Sequence, residues 1–385
     1  MIEEKIYHLH PSQQDVFTDQ LLDLKSPQYN IGGYIKLKGR LNKQLFNEAV
    51  GSGAQVFDAF RMRFDLNVPE PVCFVQQQYN KLDIQEIDFS SPHYRQQEAV
   101  QWMQDHFNTP FVIEKETTLV EHYLLKIAED EYWFFGKYHH LISDGYGFVV
   151  WVQYLAAKYR SLVSGDHQSF IFPSYAEEVA KAYEYKKSDN YEADGQYWKN
   201  NIKSKPEKFL QRKYNNKASK KSETYFLTLN DNQRKLLEDI ELNTKIRLHH
   251  LTIGALLIYF GKILKQAEFV FGIPVHKRGT REARNIVGMF SGIIPFKGNF
   301  QSDVKLIDLL KNIVDIQKED YKFQNYAIGD LARALKINSS EGYLFDITIN
   351  YKLLNFELSF DEEVKATICE LANEFQKNPL QLCWQ

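Results

Sequence analysis

Between Tyr132 and Tyr159 the hydrophobic period of the chain changes once, and that change dictates a local geometry. Tyr132-Trp133-Phe134-Phe135-Gly136-Lys137-Tyr138 is an alternating apolar run that reads as a strand. From Phe148 onward, Trp151, Val152, Leu155 and Tyr159 recur at spacings of three and four, the stripe of an amphipathic helix. The segment between them, Tyr138-His139-His140-Leu141-Ile142-Ser143-Asp144-Gly145, must turn from a strand end into a helix start. At such a turn backbone N–H groups lack acceptors, and the helix dipole favours negative charge.

Adjacent strand residues point to opposite faces, so His139 and His140 are expected to have different surroundings. One should meet an open site and the other the interior. A histidine on an apolar strand is usually a hydrogen-bonded core group. Two of them ahead of Asp144-Gly145 at a strand-to-helix turn instead mark a candidate site. Imidazole titrates near neutrality, so the open ring is a natural general base. Asp144 could orient an imidazole or pair with a cation elsewhere.

At 385 residues the chain is long for one core, and two subdomains are expected. A net charge of −3 gives no electrostatic argument for nucleic acid or an anionic membrane. Cys73, Cys369 and Cys383 lie far apart, without metal-ligand spacing, and suit a reducing compartment. Met1-Ile2-Glu3-Glu4-Lys5 lacks the apolar centre of a signal peptide, and the apolar stretch around Leu251 to Leu264 is too short to span a bilayer. A cytoplasmic protein is expected.

Helices are expected over Pro11–Leu24, Asn42–Phe57, Tyr94–Asn108, Tyr175–Trp198, Asp231–Asn243, onward to Leu264, and Val304–Glu319. Strands are expected at Tyr34–Lys38, Phe60–Phe64, Leu82–Phe89, Glu121–Ala128, Glu131–His140, Glu223–Leu229, Phe269–Val275 and Phe345–Tyr351. Ile202 to Ser222 holds eight Lys/Arg against the single acid Glu207 and reads as a solvated linker. The expected division is therefore 1–201, a basic linker 202–222, and 223–385. Each half mixes strands and helices without regular alternation, which favours an α+β architecture.

These residues resemble the condensation domains of nonribosomal peptide synthetases, and the resemblance runs along nearly the whole chain. His139-His140-Leu141-Ile142-Ser143-Asp144-Gly145 matches the family's HHxxxDG motif at every fixed position. Pro11-Ser12-Gln13-Gln14, Asp58 to Phe64, Gly272 to Arg278, Val287-Gly288-Met289-Phe290 and Phe345 to Tyr351 resemble further family motifs in the family's order. Three departures stand out. Val56-Phe57 replaces the Arg-His that usually opens the second motif, Ser291-Gly292 stands where the fifth usually has Asn, and the chain stops at Gln385 where members continue.

The resemblance implies two chloramphenicol acetyltransferase-like subdomains in a V, with the active site in a tunnel between them. It implies amide formation between a donor acyl thioester and an amine on the phosphopantetheine arm of a carrier protein, beside an adenylation domain, with no metal and no bound cofactor. His140 would be the base or orienting group and the Gly145 N–H an oxyanion donor. His139 and Asp144 would be structural, Asp144 pairing with Arg278 from the other subdomain or, second, with Arg61. Ser291, Gly292 and Asn350 would line the substrate tunnel. Met1 to His10 leaves little room for an upstream carrier, and Asp144-Gly145-Tyr146-Gly147 and Gly288-Met289-Phe290-Ser291-Gly292 resemble starter-type variants, whose small residues would open an apolar slot for an acyl chain. A starter domain using acyl-CoA is therefore expected, as in lipopeptide biosynthesis. The alternatives are an elongating or epimerisation domain, a non-catalytic docking domain, and an acyltransferase with a free acceptor.

Overall fold

A computed structural model of the chain describes residues 5–77, 81–91, 96–166, 168–210, 222–337, 344–352, 358–375 and 378–384. In chain order the elements are β1 (Ile6–His8), α1 (Pro11–Gln20), β2 (Asn30–Gly39), α2 (Lys43–Gly51), α3 (Gly53–Val56), β3 (Met62–Asp65), β4 (Val72–Val75), β5 (Gln85–Asp88), α4 (Gln96–Phe107), β6 (Val120–Ala128), β7 (Glu131–His139), α5 (Gly145–Ser164) and α6 (Tyr175–Lys186). There follow α7 (Asp189–Ile202), α8 (Asp231–Thr244), α9 (Leu248–Leu264), β8 (Glu268–Val275), β9 (Gly292–Asn299), α10 (Leu306–Asp320), α11 (Ile328–Ala334), β10 (Ile347–Tyr351), β11 (Val364–Glu370) and β12 (Leu380–Trp384).

Two compact units emerge: Met1–Lys187 with Arg278–Phe290 and Asn355–Phe375, and Ser188–Lys277 with Ser291–Leu354 and Gln376–Gln385. This differs from the expected division at 201. Ser188 caps α7 by accepting from the Tyr191 N–H, and Trp198 and Ile202 of that helix belong to the second unit's core. The expected linker is also not free at its start. The N–H groups of Phe209 and Leu210 donate to the Asp346 carboxylate at 2.7 and 3.0 Å, and the Phe209 ring packs on Phe260 and Phe269. The rest of that linker, 211–221, lies outside the described residues.

The first unit contains a five-stranded sheet in the order β11-β2-β7-β6-β5 and a three-stranded sheet β1-β4-β3. The β6–β7 hairpin forms where the alternation predicts it. Antiparallel pairing of β2 with β7 sets Asn30 opposite His139, so the end of β7 is held in the sheet. The apolar stripe of α5 packs on that sheet: Trp151, Leu155 and Tyr159 are buried among Phe46, Phe134 and Tyr138. The helix starts on the Asp144 cap and stops at Gly165, whose φ of 70° is left-handed and suits glycine.

The second unit has the sheet β12-β10-β8-β9, with β10 parallel to both β12 and β8 and β9 antiparallel to β8. Here one expected strand fails. Glu223 to Leu229 forms no ladder with any described residue, and Tyr225, Phe226 and Leu227 are 82 to 94% exposed. Alternation alone cannot make a strand without a neighbour to pair with. Helix α8 buries no residue, and α9 buries one side while Tyr259, Ile263 and Leu264 face out. Among the described residues no helix is long and apolar enough to cross a membrane.

Candidate active site

The turn from β7 into α5 lies wholly within the first unit and is fastened from three directions. Helix α1 supplies the first. Its start is fixed by His10, whose Nδ1 accepts from the Ser12 N–H at 3.1 Å, while Gln13 Oε1 accepts from the His10 N–H at 2.9 Å. Gln13, fully buried, then donates from Nε2 to the Leu141 carbonyl at 2.6 Å. The second fastening is strand β2 and its approach, where the Tyr29 carbonyl accepts from the His140 N–H at 2.8 Å.

The third is Arg278–Phe290. Asp144 is completely buried and uses both carboxylate oxygens. Oδ1 caps α5 by accepting from the Gly147 N–H at 2.8 Å. Oδ2 accepts from Arg278 Nη1 at 2.6 Å and from the Phe290 N–H at 3.1 Å. Arg278, also buried, donates from Nη2 to the Gly288 carbonyl at 3.1 Å and lies over the Phe290 and Tyr146 rings. Around it Ser12 Oγ donates to the Phe290 carbonyl at 2.7 Å, and the Tyr175 hydroxyl to the Met289 carbonyl at 2.6 Å.

The expected pair of Asp144 and Arg278 thus forms, but Arg278 belongs to the first unit, not to a second subdomain. Arg61 does not reach Asp144. Its Nη1 donates to the Gln76 carbonyl at 2.9 Å, because the short helical turn before β3 aims it toward the end of β4. The acid of the same stretch has a task that sequence reasoning missed. Asp58 accepts from the Tyr175 and Ala176 N–H groups, both at 3.0 Å, and from Ser174 Oγ at 2.6 Å, pinning the start of α6.

The two histidines face different surroundings, as strand alternation requires. His139 is 2% exposed; its Nδ1 accepts from the Leu141 N–H at 3.1 Å, which places its proton on Nε2 facing Gln20 Oε1 at 3.3 Å. Burial, helped by His140 and Lys137, pushes its pKa down to about 3, so it is neutral. His140 is partly exposed. Its Nδ1 lies 3.1 Å from the Ser143 carbonyl, which can only accept, so Nδ1 carries the proton and Nε2 keeps a lone pair. Burial lowers its pKa against the opposing pull of Asp144 and that carbonyl.

Gly145 begins α5 and is exposed, and no described acceptor meets its N–H. A Cβ there would meet nothing within 4 Å. Gly147 and Gly288 are different. A Cβ on Gly147 would lie 2.7 Å from Ser143 Oγ and 3.2 Å from Gly288 N, and one on Gly288 would strike the Tyr175 ring at 2.2 Å. Their smallness lets two backbone segments pack. Ser291, Gly292 and Asn350 all fall in the second unit, Gly292 opening β9 beside the Lys277 side chain and Asn350 in β10. Among the described residues no group of three or more His, Cys, Asp or Glu is placed to hold a metal ion.

Comparison with known proteins gives this arrangement its family. A family model described as "Condensation domain" matches residues 3–380. The chain is 24% identical over 357 residues to a dimodular nonribosomal peptide synthase of Bacillus subtilis (strain 168), covering 92% of this chain and 15% of that protein. It is 25% identical over 385 residues to tyrocidine synthase 3 of Brevibacillus parabrevis, covering 98% of this chain and 6% of that protein. The chain thus spans a small part of these curated relatives. Among solved structures, it superposes with a TM-score of 0.85 on a mutant starter condensation domain of rhizomide synthetase in complex with C8-CoA, at 23% identity, covering 99% of this chain and 86% of that one. The first condensation domain of the calcium-dependent antibiotic synthetase, in complex with a substrate analogue, gives 0.84 at 19% identity, covering 98% and 87%. These likenesses bear out the expected α+β condensation-domain fold. The chain belongs to the condensation domain family.

Proposed function

We propose that this chain joins a donor acyl group, carried on coenzyme A, to the amine of an aminoacyl group held on the phosphopantetheine arm of a carrier protein. The observation that carries this reading is the state of His140. With its proton held on Nδ1 by the Ser143 carbonyl, this partly exposed ring keeps a lone pair on Nε2, at a turn that opens a helix. The amine nitrogen attacks the thioester carbonyl, the C–N bond forms and the C–S bond breaks. The amine proton passes to His140 Nε2 and from there to the departing thiolate, which leaves as free coenzyme A thiol. A positioned base of this kind contributes about 10²–10⁴-fold.

The N–H of Gly145, which meets no acceptor among the described residues at the positive end of α5, is the proposed donor to the tetrahedral oxyanion. The open space where a Gly145 side chain would stand supports this reading. His139, Asp144 and Arg278 hold the turn in shape, and Ser291, Gly292 and Asn350 are assigned substrate contacts. An acyl-CoA donor is supported by the likeness to a starter condensation domain in complex with C8-CoA. An adenylation domain and a carrier protein are the partners this implies.

Intact mass spectrometry of an aminoacyl-carrier protein incubated with the chain and an acyl-CoA tests the reading. The carrier should gain one acyl group as coenzyme A thiol appears in equal amount. Transfer only from an aminoacyl-carrier donor would overturn the donor assignment, and transfer to free amino acid alone would overturn the acceptor assignment.

A further inference from the structure

The first unit contains a cavity of about 650 Å³ that none of His139, His140, Asp144, Gly145 or Arg278 lines. Its size falls within the range of small-molecule sites. Part of its wall is apolar or neutral: Phe60 and Val120 are buried, and His122 is kept neutral by burial, its Nε2 engaged with the Tyr138 hydroxyl at 2.9 Å. Arg63 of β3 lines it too, with Arg61 and Lys81.

Arg63 is the unusual member. It is only 6% exposed, yet its one hydrogen bond to a described residue runs from Nη1 to the carbonyl of its own neighbour Met62, at 2.8 Å. Its Nε, on the fork edge of the guanidinium, is closed to solvent and has no hydrogen-bond partner among the described residues, and the neighbouring Nη2 makes none to a described residue either. Buried arginines ordinarily have a carboxylate on that fork. The acids lining the cavity do not serve: Glu121 is held by Lys137 at 3.2 Å and by the Tyr123 hydroxyl at 3.1 Å, and Asp83 and Glu116 are exposed, Glu116 acting on Arg63 through space without a hydrogen bond or ion pair to it. A guanidinium sequestered beside an open, half-apolar space has the form of a receptor for an anion arriving from outside.

We propose that this cavity binds a monocarboxylate with an apolar tail, its oxygens on the Nη2 edge of the Arg63 guanidinium and its tail along the apolar part of the wall. A phosphate dianion suits the cavity less well, because Asp83 and Glu116 also line it and would repel a second charge. The inference is independent of the amide-forming reading, since no residue assigned to that reaction is used.

The test titrates 3-phenylpropionate into the whole chain by calorimetry, with 3-phenylpropanamide and inorganic phosphate as comparison probes. Saturable binding of one carboxylate per chain is expected, with the amide much weaker and phosphate unable to compete. Arg63→Met should weaken binding on the order of tenfold or more, as for loss of a charged hydrogen bond, while His140→Ala leaves it unchanged. Equal binding of acid and amide, which needs no variant to fold, would overturn the proposal. So would displacement by equimolar phosphate, unchanged affinity in Arg63→Met, loss of binding in His140→Ala, or no binding at all.

Discussion

An imidazole that keeps one nitrogen unprotonated at neutral pH needs its other proton held in place, and the two adjacent histidines solve this in opposite senses. His140 donates a hydrogen bond from its Nδ1–H to the Ser143 carbonyl, whereas His139 accepts the Leu141 N–H on Nδ1. His140→Ala should therefore fold normally and lose about 10²–10⁴-fold in product formation. His139→Ala should instead lose about 2 kcal/mol of stability at pH 7 through a buried ring and two lost hydrogen bonds. The pH dependence separates them further. His139 has a folded pKa of about 3, against an ordinary value near 6.5 in the unfolded chain. Above that ordinary value both states are neutral and stability is complete. As pH falls through the window between the two, only the unfolded chain takes up the proton, and stability drops by about 1.4 kcal/mol per pH unit. The alanine variant lacks this loss, so its thermal midpoint should converge on that of the parent chain between pH 7 and pH 5. Parallel midpoints would show that His139 is not held neutral.

The unit of design at the next scale is the start of α5, where one carboxylate serves as helix cap and as ion-pair partner at once. Removing one side of a buried pair leaves an uncompensated charge, so Asp144→Ala and Arg278→Ala should each cost about 3–5 kcal/mol by denaturant melts. The double variant should lose much less than their sum, and additive losses would show that the two act separately. The strand, the turn and the cap were legible because they are local: period two becomes period 3.6 across a residue with capping chemistry. Arg278 lies 134 positions from Asp144, and only the family resemblance singled it out. Arg61 stood second to it, and the structure sends Arg61 to the Gln76 carbonyl instead. Gln13 and Gln20, which hold the Leu141 carbonyl and His139, carry no periodic signal, because a buried glutamine on an apolar helix face looks in sequence like a surface residue. Glu223 to Leu229 fails for the opposite reason, its pattern being right and its pairing partner missing among the described residues.

At the scale of the whole molecule, the chain does not divide where its composition changes. The basic run after Ile202 suggests a boundary there, but a unit boundary is set by which apolar faces bury each other, and that information is non-local. Two late segments complete the first unit. Arg278–Phe290 brings the cation for Asp144 together with Ile286, Val287, Met289 and Phe290, all buried in its core. Strand β11 covers the edge of β2 in continuous register from Val364 opposite Gly39 to Glu370 opposite Gly33. A fragment of residues 1–201 would bury the Asp144 carboxylate without its cation, a penalty of several kcal/mol. It would also expose the edge of β2 and open the core where those four side chains sit. These losses together approach the whole stability of an ordinary domain, about 5–15 kcal/mol. The fragment should therefore show no cooperative thermal transition in near-ultraviolet circular dichroism, whereas the full chain shows one. A fragment that melts cooperatively within a few degrees of the full chain would mean that 1–201 is a folding unit by itself and that the late segments only decorate it.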